Sequence, residues 1–250
     1  AKKSMIFNSL ILFVSAVLGG LMVYRFGNKA SINFKLVLIF GGSYLFSITI
    51  IHILPELYHT EGSSFSVGLF VLLGFFFQNF LEYFTSGVEH GHMHAHKHTH
   101  TSMSGYSLMI ALCLHAFLEG TFLAYPDIFH EHSSKSGSLM IGVILHKIPA
   151  ALALMSVLTC QFEKRNFQIV LLVIFALSSP LGLVSGHYII PSGLMNESGL
   201  LMLFAFVGGN FLHISTTIFI ESSPDHNWSL KRLLVSIGGA AVAVLAEMYV

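Results

Sequence analysis

Long runs of apolar residues, separated by short polar connections, extend along the whole chain. Eight of these runs have about the 20 residues that a helix needs to cross a hydrocarbon core of about 30 Å. We therefore predict an all-α, polytopic membrane protein whose eight transmembrane helices form a single domain over residues 1–250. The predicted spans are Ser4–Tyr24, Leu36–Leu57, Phe65–Thr85, Tyr106–Tyr125, Ser138–Cys160, Phe167–Ile190, Gly199–Glu221 and Lys231–Tyr249.

The amino-acid composition agrees with this prediction. Charged residues make up 10% of the chain, against about 25% in soluble domains, and hydrophobic residues reach 54%. Lys and Arg balance Asp and Glu at 12 each, so there is no basic excess to attract nucleic acid. These values exclude a soluble enzyme, a disordered chain and a nucleic-acid-binding protein, and they indicate a lipid bilayer as the surroundings.

The distribution of Lys and Arg predicts the orientation of the spans. The connections after spans one, three, five and seven hold most of the basic residues, whereas the opposite side holds Lys2, Lys3 and Lys135. By the positive-inside rule the first side is cytoplasmic, which puts both termini outside. Lys2 and Lys3 argue mildly against this orientation. We expect the protein to lie in the cell membrane.

One connection has an unusual composition. Within the predicted cytoplasmic loop at residues 86–105, histidine alternates with other residues. Several imidazoles at high local concentration bind borderline divalent cations weakly, so we expect an accessory metal-binding segment. The alternative is a solvated linker with an incidental bias in composition. The histidines of this tract are His90, His92, His94, His96, His98 and His100.

Three ionisable side chains are predicted to meet near the middle of the membrane, at what we call the central site. His115 and Glu119 share one face of span four, and His146 lies in span five. Each imidazole lies about 12 Å from the face where its helix begins, within about one turn of the midplane. Two imidazoles and a carboxylate suit Zn²⁺, Fe²⁺ or Co²⁺ better than Mg²⁺ or Ca²⁺. The structural alternatives are interhelical hydrogen bonds by the histidines and an ion pair between Glu119 and Lys147.

Other polar residues in the spans have less specific assignments. His52 and Glu56 close span two near the outer face, where they either gather ions at the entrance or cap a helix end beside a proline. His213, in span seven, either lines the exit or hydrogen-bonds neighbouring Ser and Thr residues. Gln78 and Glu82, on one face of span three, are assigned a structural role or a role at the cytoplasmic mouth.

Four motifs lie in order along these spans. They are H-x-L-P-E at 52–56, H-x-x-x-E-G at 115–120, H-x-x-P at 146–149 and P-L-G at 180–182. In type, order and span they resemble the motifs of the ZIP family of divalent-metal transporters, and the resemblance covers nearly the whole chain. The resemblance implies a ZIP-like bundle of eight helices, alternating access by one helix group moving against another, and often a homodimer.

The chain departs from the family's pattern where many members build a second metal position. The matching positions here hold Ala116, Lys147, Ala150 and Ser179. Three of these side chains are not strong ligands and the fourth is a cation. We therefore expect a single metal at the central site, with the Lys147 ammonium in place of a second one, as in a subgroup of the family that has His-Lys in span five. The alternative is that Lys147 only neutralises Glu119.

Zinc uptake into the cytoplasm is the function that the sequence predicts, with Fe²⁺, Mn²⁺ or Cd²⁺ as alternative cargo and no prosthetic group. Two other hypotheses are an intramembrane metalloenzyme, which would add a bound water to the same ligands, and a membrane metal sensor. Against the first, the chain has no H-E-x-x-H motif, and Glu119 is a predicted ligand rather than a spare general base. Against the second, we identify no output domain, so we expect a transporter and not an enzyme.

Overall fold

The structure is a computed structural model that describes residues 2–26, 31–59, 64–85, 105–124, 136–189, 192, 195–221 and 229–249. Within these ranges all of the regular structure is helical, which confirms the predicted all-α class. The α-helices are α1 (Lys2–Phe26), α2 (Ser31–Ile48), α3 (Leu54–Tyr58), α4 (Ser64–Thr85), α5 (Gly105–Leu123), α6 (Ser136–Gln161), α7 (Arg165–Ile189), α8 (Glu197–Glu221) and α9 (Leu230–Tyr249).

The helices coincide with the predicted spans. In the part of the chain that the structure describes, seven helices are long and apolar enough to cross a membrane, and they match predicted spans one to seven. Span two comprises most of α2, a π-helical turn and α3. The eighth predicted span forms α9, which carries Lys231, Arg232 and Glu247 near its ends. The extent of the domain and the orientation of the termini remain predictions.

Large apolar side chains cover the outward faces of several helices. Phe65 and Phe80 on α4 are 85% and 57% exposed, and Ile110 on α5 is 68% exposed. A contiguous apolar surface of this kind is unfavourable in water, but it costs nothing against lipid tails. The outer surface therefore agrees with a membrane environment.

The helices pack as two groups. In the first group, α1, α5, α6 and α7 make most of their contacts with one another, and in the second, α2, α4, α8 and α9 do the same. Contacts between the groups run mainly through α2 against α6 and α4 against α5. All of the predicted central-site residues lie on α5 and α6, in the first group.

Glycines permit the closest helix crossings within each group. Gly120 on α5 and Gly182 on α7 each lie against a carbonyl oxygen of the facing helix, and Gly74 on α4 and Gly209 on α8 do the same. A Cβ atom at any of these positions would overlap that oxygen. Small residues at crossings are typical of membrane helices, which gain stability from close packing rather than from a hydrophobic force.

A π-helical turn at Thr49–Ile53 interrupts span two. The backbone N–H of Leu54 donates to the carbonyl of Thr49, five residues back. Pro55 comes next and has no N–H, so the regular hydrogen-bond ladder cannot continue through it. Turns of this kind redirect the side chains they contain and often occur at functional sites. Here the turn contains His52, which reaches a residue of α9.

Candidate metal centre

Two helices of the first group carry the predicted central-site residues. His115 and Glu119 lie one turn apart on α5, and His146 lies on α6, three residues before Pro149. His115 and His146 each lie ten residues into their helices, about 15 Å along the helix axis. This equal depth allows the two imidazoles to meet. Pro149 also leaves the carbonyl of Leu145 without its helical donor, beside the ligand positions.

The three side chains of the central site come together in the protein interior. The ring centroids of His115 and His146 are 5.8 Å apart, and the rings are nearly perpendicular. One potential ligand atom from each residue lies within 4.8 Å of the others, and no more than 3% of any of the three residues is exposed. The Nε2 atom of His115 is 2.9 Å from Oε1 of Glu119. Three ligands that leave one position open are typical of zinc sites that exchange their fourth ligand.

Lys147 lies beside this group and is also buried, with 1% of the residue exposed. Its ammonium donates to Oγ of Ser179, and Ser179 in turn donates to the carbonyl of Ala116 at 2.7 Å. Lys147 Nζ is 3.6 Å from Oε2 of Glu119 and 5.1 Å from the centroid of the Phe175 ring. The cation therefore contacts Ser179, one of the positions that the family resemblance assigns to a second metal, and it also faces Glu119. This geometry agrees with both sequence hypotheses for Lys147.

A second polar cluster lies where the π-helical turn approaches α9 and the start of α6. Nδ1 of His52 is 2.8 Å from Oε1 of Glu247, and Ser138 Oγ donates to the other carboxylate oxygen at 3.1 Å. The His52 and Glu247 side chains are 22% and 13% exposed, so both lie partly at the surface of the bundle. Glu56, one turn after His52, is also partly exposed.

Glu247 is a candidate that the sequence interpretation missed. It lies near the end of the eighth predicted span, where an acid that follows a long apolar stretch is itself a signal of function. Its partner could not be predicted, because His52 lies almost two hundred residues away in the sequence.

A third cluster joins the two parallel-running helices α4 and α8. His213 Nε2 is 2.5 Å from Oε2 of Glu82, and Thr217 Oγ1 is 3.3 Å from the same nitrogen. The ring of Phe75 packs edge-on against His213, with the centroids 4.7 Å apart. The expected hydrogen bond of His213 to a neighbouring hydroxyl is therefore present, whereas the sequence did not link His213 to Glu82.

The histidine tract, from His90 to His100, lies outside the described residues. Its metal-binding role, and the boundaries of the predicted loop at 86–105, therefore stay predictions. The ligand roles of His115, Glu119 and His146 are also predictions, although the structure does bring these side chains together.

Comparison with known proteins points to one family. The family model described as ZIP Zinc transporter matches residues 87–247, which is more than half of the chain and includes the central site. A curated relative is Protein zntD of Dictyostelium discoideum, 29% identical over 147 residues. The matched region is 56% of this chain and 21% of that protein, so the alignment spans about a fifth of the relative's length.

Proposed function

The chain belongs to the ZIP zinc transporter family, and on that premise we propose that it carries divalent metal ions, zinc foremost, into the cytoplasm. The observation that carries this proposal is the buried group of His115, Glu119 and His146 inside a membrane-spanning bundle. Ionisable groups at such depth are costly and mark substrate pathways. The ion is the substrate here, and no resident cofactor is needed to bind it.

In the proposed route, ions enter past His52 and Glu247, lose water and bind at the central site. The pairing of His52 with Glu247 supports this order, because it places an imidazole and a carboxylate at a partly exposed position. Neutral imidazole and ionised carboxylate are both ligands for borderline divalent cations. The ion then leaves toward the side where the histidine tract begins, which the charge distribution predicts to be cytoplasmic.

The two helix groups supply a physical means of alternating access. Since all three central-site ligands belong to the first group, that group can move against the second as a body without separating the ligands. The contact of α2 with α6 would be the sliding surface. A homodimer, which the family resemblance implies, would hold one group in place while the other moves.

Lys147 supports a single bound ion at the central site. Its ammonium lies 3.6 Å from Glu119, within the region where a second dication would have to sit. Two like charges in a low-dielectric interior repel strongly. In this proposal Glu119 faces one metal ion and the Lys147 side chain.

Zinc uptake into liposomes tests the proposed function. We expect uptake by the wild-type chain and its loss in Glu119→Ala and in Glu119→Gln, because either change removes the carboxylate that is the proposed anionic ligand of the central site. The Gln variant keeps an oxygen that can accept from Lys147, which protects the fold. Glu163→Ala, at an exposed position between α6 and α7, is the matched control and should transport normally. No uptake by the wild type, or equal uptake by all four proteins, would contradict the proposal.

Metal counting tests the role of Lys147. Glu119→Ala is expected to lower the number of tightly bound zinc ions by about one per chain, the capacity of a mononuclear site. Loss of about two ions would show that a dinuclear site shares Glu119.

Competition by Fe²⁺, Mn²⁺ and Cd²⁺ in the liposome assay would rank the alternative cargoes.

The donor set also favours transport over hydrolysis. An intramembrane hydrolase needs a general base next to the water that its metal activates. Among the described residues, Glu119 is the one carboxylate in the central group, and it faces both His115 and Lys147. A carboxylate that binds the ion is not available as a separate base.

A further inference from the structure

The seam between α4 and α8 holds more polar groups than a structural ion pair requires. Glu82 and His213 contact each other at 2.5 Å with side chains that are only 15% and 7% exposed. One turn earlier on each helix lie Gln78 and Asn210, which are 0% and 1% exposed. These four residues, which we call the seam cluster, are all on the second group, apart from the central-site ligands.

The two amides of the seam cluster have no hydrogen-bond partner in the part of the chain that the structure describes. Both polar atoms of Gln78 and both of Asn210 are buried without a partner among the described residues. A buried polar atom without a hydrogen-bond partner destabilises the fold, and the large majority of buried side-chain polar atoms in proteins are paired. Amides that merely join membrane helices hydrogen-bond across the interface. The unsatisfied atoms therefore indicate an occupant that the protein itself does not supply.

The helix geometry gathers these groups on one line. Gln78 and Glu82 are four residues apart on α4, and Asn210 and His213 are three apart on α8, so each pair shares one helix face. Gly74 and Gly209 bring the two backbones into contact just before this region. The seam cluster therefore lies just beyond this close crossing, toward the C-terminal ends of both helices.

The seam cluster lies toward the C-terminal end of α4, the end that precedes the histidine tract in the sequence. Glu82 lies three residues before the last residue of α4, and His213 lies eight residues before the last residue of α8. At 1.5 Å per residue, His213 is about 12 Å from that end. The charge distribution predicts this end to be cytoplasmic.

We propose that the seam cluster is a second divalent-cation site, which takes the ion that leaves the central site. Its ligands would be the His213 imidazole, the Glu82 carboxylate and the amide oxygens of Gln78 and Asn210. An ion that bridges Nε2 of His213 and Oε2 of Glu82 replaces their direct contact and satisfies the amide oxygens. With one imidazole instead of two, the site binds zinc more weakly than the central site, which suits release. The order of the two sites rests on the proposed transport function, whereas the binding site itself does not.

Zinc counting on the full chain tests this site. The six histidines of the tract are replaced by serine to remove their binding, and radioactive zinc is then counted by equilibrium dialysis. This background is expected to hold about two ions per chain, one at each site of three or four ligands. Glu119→Ala should remove the central ion only. Glu82→Gln and His213→Gln should each remove the seam ion only, and His187→Ala, a histidine of α7 outside both sites, should remove neither.

A second pair of variants separates a cation site from a structural role. Gln78→Met and Asn210→Leu replace unsatisfied amides by apolar groups of similar size, so both are expected to raise the thermal unfolding temperature. If the amides only pack, zinc binding stays unchanged. If the amides are ligands of the seam ion, each replacement is expected to weaken zinc binding at the seam cluster by about tenfold or more.

The outcomes distinguish the two proposals. If the Glu82 and His213 variants and both amide variants bind zinc like the background while Glu119→Ala loses an ion, the seam site is wrong and the central site stands. If Glu82→Gln loses an ion while Glu119→Ala does not, the central site is wrong and the seam site stands. If no variant changes the count, both sites are wrong.

Discussion

At the scale of single residues, the central site depends on how one buried carboxylate divides its contacts. Glu119 presents Oε1 to His115 and Oε2 toward Lys147, so the same side chain faces a predicted metal ligand and a Lys side chain. Ser179 keeps Lys147 in place, since it accepts from the ammonium and donates to the carbonyl of Ala116. A buried charge is tolerated only when it is paired and hydrogen-bonded. The hydrogen bond from Lys147 to Ser179 therefore helps to stabilise the buried ammonium.

Ser179→Ala tests this dependence. The change removes the hydroxyl that accepts from Lys147, and we expect it to lower the free energy of unfolding by about 1–3 kcal/mol. Chemical unfolding in detergent, followed by circular dichroism, measures the difference. Ser156→Ala is the matched control, because the buried Ser156 hydroxyl donates to the carbonyl of Leu152 in its own helix at 2.9 Å. Equal stability of the two variants would show that Lys147 does not depend on Ser179.

At the scale of helices, the glycine crossings set how closely the ligand-bearing elements approach. Gly120 and Gly182 lock α5 to α7 through reciprocal contacts with carbonyl oxygens. This crossing includes Ser179, whose carbonyl faces Gly120. The position of α5, and with it the placement of His115 and Glu119, is therefore determined by α7, a helix that contributes no predicted ligand.

Gly182→Ala tests the crossing without touching a ligand. Its Cβ would overlap the Phe117 carbonyl oxygen and lie 2.9 Å from the Thr121 nitrogen, so α7 must move away from α5. Overpacking of this kind costs about 1–3 kcal/mol. We expect a lower thermal unfolding temperature and weaker zinc binding. Gly238→Ala, which would meet no atom within 4 Å, should instead be neutral or slightly stabilising. Identical melting of both variants would contradict a close α5–α7 crossing.

At the scale of the whole molecule, the two helix groups separate the proposed stations of the pathway. The central site lies on the first group, and the seam cluster lies on the second. The cluster of His52 and Glu247 lies on the second group and meets Ser138 of the first. On the proposed pathway, an ion that passes from one station to the next crosses between the groups, and we expect relative motion of the groups to control that passage.

A disulfide between the groups tests whether they must move. A Cβ on Gly41 of α2 would lie 3.5 Å from Cβ of Leu145 on α6, within the range of about 3.5–4.5 Å found in disulfides. In a chain with Cys113 and Cys160 replaced by serine, we expect Gly41→Cys with Leu145→Cys to lose liposome uptake on oxidation and to regain it on reduction.

Two controls accompany the cross-link. Each single cysteine variant should transport in both redox states. The oxidised double variant should still bind zinc, which shows that the ligands next to Leu145 are intact. Full uptake with a complete disulfide would show that the two groups need not move against each other.

The amino-acid sequence by itself determined what lies along each helix. Hydropathy placed the membrane-spanning helices, and the four motifs identified the ZIP family, which the family comparison confirmed. His115 and His146 could be predicted to share a level because the rise per residue and the thickness of a membrane together set the depth of each residue.

The tertiary structure decided which helices are neighbours and which faces they turn toward each other. The pairs His52–Glu247, Glu82–His213 and Lys147–Ser179 each join residues of different spans. Neither hydropathy nor helical period specifies the rotation of a helix about its axis or its partner across the bundle. Those are set by the fit of glycines against carbonyl oxygens and by the pairing of buried polar groups, which exist only once the helices have packed.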